Sequence, residues 1–238
     1  MAGHSKWANI KHRKDRADKK KGKIFSRIMK EIISAVKQGG PDPKTNSKLR
    51  VAIQKAKDGN VPNDNVDRNI KKAASSDQQD YVSMTYELYG YGGVGIVVDI
   101  MTDNKNRISS DIRIATNKCG GTVATPGAVA YNFDRKGVIR APKAQMKEDD
   151  LFLLATENGA EDFASDEENY IITTSIEAFV KVKDAVEAAG CKCEEAGLEM
   201  VPKSWVEVSD ENADLNIALI EWLENLDDVD AVYHNMKV

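Results

Sequence analysis

Three groups of residues in this 238-residue chain have the types to do chemistry: a few histidines and cysteines, one glycine-rich hexapeptide, and a dense N-terminal run of lysine and arginine. The first group is sparse. Of three histidines, His4 and His12 lie near the N-terminus and His234 near the other end. Cys191-Lys192-Cys193 on a strand would aim both thiols at one face, but the spacing is not the usual zinc spacing and no second ligand pair accompanies it. No G-x-S-x-G, Walker, H-E-x-x-H or kinase signature occurs. The acids between residues 157 and 168 show no ligand spacing and read as a solvated face. No catalytic residue, metal or cofactor is expected from this material, and no small-molecule substrate. The hexapeptide Gly90-Tyr91-Gly92-Gly93-Val94-Gly95 matches G-x-G-x-x-G. A dinucleotide site needs that motif to open a helix, whereas here the strand-like residues Ile96, Val97 and Val98 follow. It reads as a hairpin turn.

The basic run carries the strongest signal. Lys6, Lys11, Arg13, Lys14, Arg16, Lys19, Lys20, Lys21 and Lys23 supply nine positive charges against Asp15 and Asp18. Lysine and arginine neutralise phosphates and release counterions, an affinity largely independent of sequence. Trp7, beside Lys6, Lys11 and His12, has the shape to stack on an exposed base, a contact worth about 1–3 kcal/mol in single-strand binders. It has equally the character to pack back on the protein. The run lacks the apolar stripe of an interfacial helix, so a membrane is not the expected partner. So basic a segment, with so little to bury, orders against a polyanion more readily than alone.

Positioning that run falls to the elements behind it. Residues 24–38 place Phe25, Ile28, Met29, Ile32 and Val36 at helical spacing, with Lys30, Glu31 and Lys37 opposite, and Gly39-Gly40-Pro41 stops the pattern. Helices over 46–57 and 63–74 complete a small bundle whose outer faces carry Lys48, Arg50, Lys55, Lys57, Arg68, Lys71 and Lys72. Residues 1–80 hold 20 Lys/Arg against 9 Asp/Glu, and the remainder 14 against 29, so a net charge of −4 conceals +11 followed by −15. That polarity suggests a basic part for a polyanion and acidic parts for another task, a protein partner among them.

After a polar stretch at 75–80 the period changes to alternation. Val82, Met84, Tyr86 and Leu88 share one strand face, and 94–101 reads as the partner strand. Asp103 or Asn104 caps a helix through Ile108, Ile112, Ala115 and Cys119. A strand from Val129 is expected to end in a tight turn at Asp134-Arg135-Lys136-Gly137. From there the order strand-helix-strand-strand-helix-strand is ferredoxin-like, with Thr174-Ser175-Ile176-Glu177 as a capping box and a strand beginning at Cys191. A strand over 205–208, a helix burying Leu215, Leu219, Trp222 and Leu226, and a strand over 229–234 finish the chain. The expected fold class is α+β: an N-terminal three-helix domain followed by two ferredoxin-like α+β domains, one inserted in the other. The expected parts are a basic flexible arm (1–23), a helical domain (24–78), a split α+β domain (79–135 plus 204–238) and an inserted acidic α+β domain (136–203). The hydrophobic content of 41% suffices for such cores. No apolar run has membrane-spanning length, and no secretory signal is evident. The chain reads as soluble and cytoplasmic.

GHSKWANIKHRK at 3–14, followed by KKKGKIF at 19–25, resembles the N-terminal signature of the YebC/PmpR family, which includes the mitochondrial translational activator of cytochrome c oxidase. The similarity continues through PDP at 41–43, NVPNDNV at 60–66, YGYGGVG at 89–95, GAVAYNFDRKG at 127–137 and VYHN at 232–235. The resemblance implies three domains, no catalytic residues and no cofactor. It implies a regulator of gene expression that binds nucleic acid: DNA, as bacterial members are described, or rRNA or tRNA on the ribosome, where relatives act in translation. Starting directly at the signature, the chain resembles the bacterial cytoplasmic form.

Overall fold

The structure is a computed structural model that describes residues 13–75, 80–193 and 195–237, with side chains from Gly22 onward. The chain runs through α1 (Arg13–Gly39), α2 (Ser47–Asp58), α3 (Asn63–Ala74), β1 (Val82–Tyr89), β2 (Gly95–Thr102), α4 (Lys105–Cys119) and β3 (Thr122–Val123). It continues with β4 (Phe133–Pro142), α5 (Glu148–Asn158), β5 (Ala160–Ser165), β6 (Asn169–Thr174), α6 (Phe179–Ala188), β7 (Glu195–Pro202), α7 (Asp210–Glu224) and β8 (Val229–His234). It forms two compact units. The first extends to Val129 and resumes at Val206; the second is Ala130–Trp205.

In the first unit α1 is longer than its apolar stripe. It begins at Arg13, so the basic stretch from there to Lys23 continues directly into the helix that enters the bundle. Ile28, Ile32 and Val36 bury against Leu49, Ala52, Ala56, Val66 and Ala73. Asn46 joins the first two helices. Its Oδ1 accepts the Leu49 amide at 3.0 Å, and its Nδ2 donates to the carbonyls of Ala35 and Gly40. A Cβ on Gly39 would stand 2.7 Å from that amide nitrogen, so this stop requires glycine.

Beyond the bundle, β1 and β2 form a regular antiparallel hairpin and the sheet order is β3-β1-β2-β8. Leu88, Ile96, Val98 and Ile100 face Ile108, Ile112, Ala115, Leu219, Ile220 and Leu223 of α4 and α7. The glycine hexapeptide is the hairpin turn, with Gly92 at φ 69° and Gly93 at φ 83°. Buried Asn216 accepts the Tyr91 amide at 2.7 Å and donates to the Tyr91 carbonyl at 3.0 Å. This grip leaves no room for a side chain at Gly90, whose Cβ would meet Asn216 Oδ1 at 2.3 Å. Buried Glu87 likewise accepts the amides of Gly127 and Val129, both at 2.6 Å, fixing the loop before the second unit.

Three expectations in this unit are corrected. The strand over 205–208 is a single parallel bridge between Val206 and Met236. On α7 the buried face is Asn216, Leu219, Ile220 and Leu223. Leu215 and Trp222 are therefore partly exposed, because the core wants the residues flanking Leu219 on its other side.

The second unit has sheet order β5-β6-β4-β7, all antiparallel, with α5 and α6 over one face. This is the ferredoxin-like arrangement. The first sheet shares its layers but its strands enter in a different order, starting from a hairpin. Asp134-Arg135-Lys136-Gly137 is not a turn: β4 runs unbroken from Phe133 and pairs with β7 from Phe133 to Arg140. The polar residues make ion pairs instead, Asp134 with Lys203 and Lys136 with Glu161. Gly137 is there because Thr174 and Phe179 close over it, within 2.4 Å and 2.5 Å of where a Cβ would stand. A boundary at 135/136 thus falls inside a strand. The strand expected from Val129 begins at Phe133, after a short 3-10 turn over Ala130–Asn132. The expected capping box at 174–177 does not cap α6: Ser175 Oγ accepts the Ala178 amide in the turn before the helix, and α6 begins after Ala178 with no side-chain cap. Cys191 lies in a loop, and β7 starts at Glu195.

Candidate nucleic-acid interface

Lys6, Trp7, Lys11 and His12 lie outside the described residues. Arg13, Lys14, Arg16, Lys19, Lys20 and Lys21 are brought onto the first turns of α1, a single helix.

Lys23 points elsewhere. Its ammonium donates to the carbonyls of Leu226 at 2.9 Å and Val229 at 2.7 Å, in the turn after α7. Burial holds its pKa below the usual lysine value, opposed by Glu224 and Asp230. Two turns on, Lys30 is buried rather than solvated. It donates to the carbonyls of Met101 and Asp227, both at 2.9 Å, and lies 4.0 Å from Asp228. Between them Arg27 reaches Asp230 at 3.7 Å.

Asp228 is the hub of this joint. Arg107 of α4 donates to it through Nε at 3.1 Å and Nη2 at 2.7 Å, and the Thr102 hydroxyl donates at 2.9 Å. Arg107 also reaches Asp103 at 2.8 Å. A carboxylate this buried keeps its charge at low cost only when several donors surround it. The joint fixes the axis of α1 to the sheet that it crosses. Sequence reasoning missed Lys30, Arg107 and Asp228. The available signal was spacing: Lys23, Arg27 and Lys30 stand at i, i+4 and i+7, hence on one face.

The outward cations are a separate set. On α2, Arg50 and Lys57 lie on one face, and on α3, Arg68, Lys71 and Lys72 do so; all are exposed. None makes an ion pair among the described residues. Others are occupied: Lys55 pairs with Glu31 at 2.7 Å, Lys48 donates to Gln38, and Lys37 donates to the Ser75 carbonyl.

The remaining chemical candidates lose their reactivity to the fold. Cys191 is buried and Cys193 half-buried in the second unit's core. Burial pushes the Cys193 thiol up to about 12, with the Cys191 sulfur adding to the shift. Such thiols stay protonated and make poor ligands or nucleophiles. Among the described residues no cluster of three His, Cys, Asp or Glu could hold a metal, and no helix is long and apolar enough to cross a membrane.

An N-terminal basic helical bundle joined to two antiparallel α+β sheets, with its cations divided between a buried joint and an open surface, defines a recognisable class. Residues 5–76 match the family model described as the TACO1/YebC protein N-terminal domain, and residues 81–236 match TACO1/YebC second and third domain. The chain belongs to the TACO1/YebC family. A probable transcriptional regulatory protein of Protochlamydia amoebophila is 68% identical to it over 238 residues, covering 100% of this chain and 97% of the relative. A similarly named protein of Chlamydia trachomatis serovar L2 is 57% identical over 237 residues, covering 99% of this chain and 100% of that one. The crystal structure of a conserved hypothetical protein from Aquifex aeolicus has the same fold, with a TM-score of 0.80 and 41% identity, covering 97% of this chain and 96% of that one.

Proposed function

We propose that this chain is a transcriptional regulator that acts without catalysis and binds DNA through its basic helical domain. The observation that carries the reading is the set of exposed cations Arg50, Lys57, Arg68, Lys71 and Lys72, which make no ion pair among the described residues, beside a helix whose start adds Arg13, Lys14, Arg16, Lys19, Lys20 and Lys21. Lys6, Trp7, Lys11 and His12, which precede this stretch in the sequence, add three more basic or titratable groups and one aromatic to the candidate contacts. Lys23 does not belong to it, since its ammonium is held by carbonyls. The printed names of the relatives, probable transcriptional regulatory proteins, support the choice of DNA.

Binding of this kind works by phosphate neutralisation with little reading of base edges. The acidic remainder of the chain adds no attraction for the duplex, since like charges repel. The test is binding of the full chain to a promoter duplex and to ribosomal RNA of matched length, each across a salt series. Tight duplex binding is expected, and replacing Lys19, Lys20 and Lys21 by alanine should weaken it and lower the slope of log K against log salt by about 0.9 per lost contact. Preference for the RNA, together with migration in the ribosomal fractions of a sucrose gradient, would replace transcription by translation as the regulated step. An unchanged slope in the variant would remove this part of α1 from the interface.

A further inference from the structure

The second unit carries an exposed apolar site with no role in the reading above. Its helix α5 buries Leu151 and Ala155 against the sheet. The next residues on its outer side, Phe152 and Leu153, are 50% and 59% exposed. Single exposed apolar residues are ordinary on a protein surface, but two large neighbours on one helix face form a patch.

The patch is held in shape. The Phe152 ring meets Phe163 of β5 edge-on, with centroids 5.5 Å apart, and Phe163 stacks on Tyr170 of β6 at 5.5 Å. Lys143 lies 5.5 Å above the Tyr170 ring. One turn from Phe152, an open cavity of about 480 Å³ is lined by Lys143, Gln145, Met146, Lys147, Glu148 and Tyr170. A rigid aromatic anchor beside a recess suits binding, because little side-chain entropy is left to lose.

Charge selects the occupant. Lys143 and Lys147 line the recess, but the exposed charges on α5 itself are all acidic: Glu148, Asp149 and Asp150 flank the patch at one end and Glu157 stands at the other. None of them makes an ion pair among the described residues. The first three complement the positive end of the helix dipole, so their presence alone proves nothing. Glu157 is different: it sits in the last turn, at the negative end, with no basic residue there to offset it. The second unit as a whole holds 16 acidic against 9 basic residues. An acidic rim repels nucleic acid and anionic lipid surfaces, while attracting lysine and arginine flanking an apolar stripe.

We propose that the outer face of α5 docks a basic amphipathic helix of a protein partner, with Phe152 and Leu153 taking its apolar stripe and the surrounding carboxylates its cations. The site belongs to the second unit and does not depend on what the basic helical domain binds.

The test uses the full chain and a fluorescent helical peptide of leucine and lysine with a single leucine stripe, against a scrambled peptide of the same composition. The striped peptide should bind at least about tenfold more tightly than the scrambled one in about 150 mM salt. Leu153→Asp and Phe152→Ser should each weaken it by about tenfold or more, with nucleic-acid binding unchanged in both and thermal unfolding unchanged in Leu153→Asp. Because both side chains are exposed, either variant can stand in if the other fails to fold. Asp150→Lys with Glu157→Lys should weaken the striped peptide further and reduce its salt dependence. Equal binding of the two peptides, or no loss in Leu153→Asp, overturns the proposal. So does a concentration-dependent dimer that Leu153→Asp abolishes, which would make a second copy the occupant, or loss of DNA or RNA binding in that variant.

Discussion

Two sets of cations on the first unit differ in what they do, although both are lysines and arginines carried on its helices, the first on α1 and α4 and the second on α2 and α3. Lys23, Lys30 and Arg107 turn inward, onto the carbonyls of residues 101, 226, 227 and 229 and the Asp228 carboxylate. Arg50, Lys57, Arg68, Lys71 and Lys72 face solvent and have no acidic partner among the described residues. The first set joins the helical domain to the sheet. The second leaves positive charge available to a ligand. What separates them is whether the surroundings supply acceptors, since a cation leaves water only where something replaces its hydration.

The contrast can be broken most severely at its hub. Asp228→Ala would leave Lys30 buried and uncompensated, so a loss of about 3–5 kcal/mol in stability is expected, read as a lowered unfolding midpoint by calorimetry. A variant as stable as the parent would show that the joint does not hold the two parts together. Lys30→Met is expected to cost less, about 1–3 kcal/mol, because it strands the carbonyls of Met101 and Asp227 but leaves Asp228 its arginine. Denaturant titration of both variants would rank them.

A smaller effect separates the two sets directly. Lys57→Ala should move stability by no more than about 0.5 kcal/mol while weakening nucleic-acid binding and lowering its salt slope. Lys23→Met should do the reverse, leaving the slope intact and lowering stability. Equal slopes in the two variants would erase the distinction between inward and outward cations.

The smallest expected effect is on pH. Burial raises the pKa of Asp230 above its ordinary 3.8, and Arg27 and Lys30 oppose the rise. The folded chain therefore holds more protons than the unfolded chain between 3.8 and the raised value, so this group's contribution to stability falls as pH rises through that window. Asp230→Asn should remove that fall, gaining on the parent as pH increases from below 3.8. A constant difference between the two across the acid range would assign the shift to another group.

Local signals were enough for much of the architecture. Asn46, Asn104 and Ser209 cap their helices through side-chain oxygens, and each can be read from residue type and the apolar period that follows. The hairpin at Gly90–Gly95 was legible because strand residues continue on both sides of it. Asp134-Arg135-Lys136-Gly137 was misleading for a physical reason: turn residues also suit an exposed strand whose polar side chains pair across it. For Gly137 the cause lies in Thr174 and Phe179, far along the chain and invisible to any local window. The outer position of Trp222 has the same origin, since a helix stripe fixes a face only to within one residue until its neighbours are known.

The sequence by itself determined the α+β composition, the helical character of the first part, the opposite charges of the chain's two parts and the family that its motifs resemble. Tertiary structure alone decided which lysines are free. Lys23 and Lys57 carry the same charge on the same kind of element, and nothing within a few residues of either distinguishes them. The difference lies in the carbonyls of Leu226 and Val229, more than two hundred positions from Lys23 and within 2.9 Å of its ammonium. A charge is assigned to the interior or to a ligand by the acceptors that folding brings to it, and that assignment cannot be made along the chain.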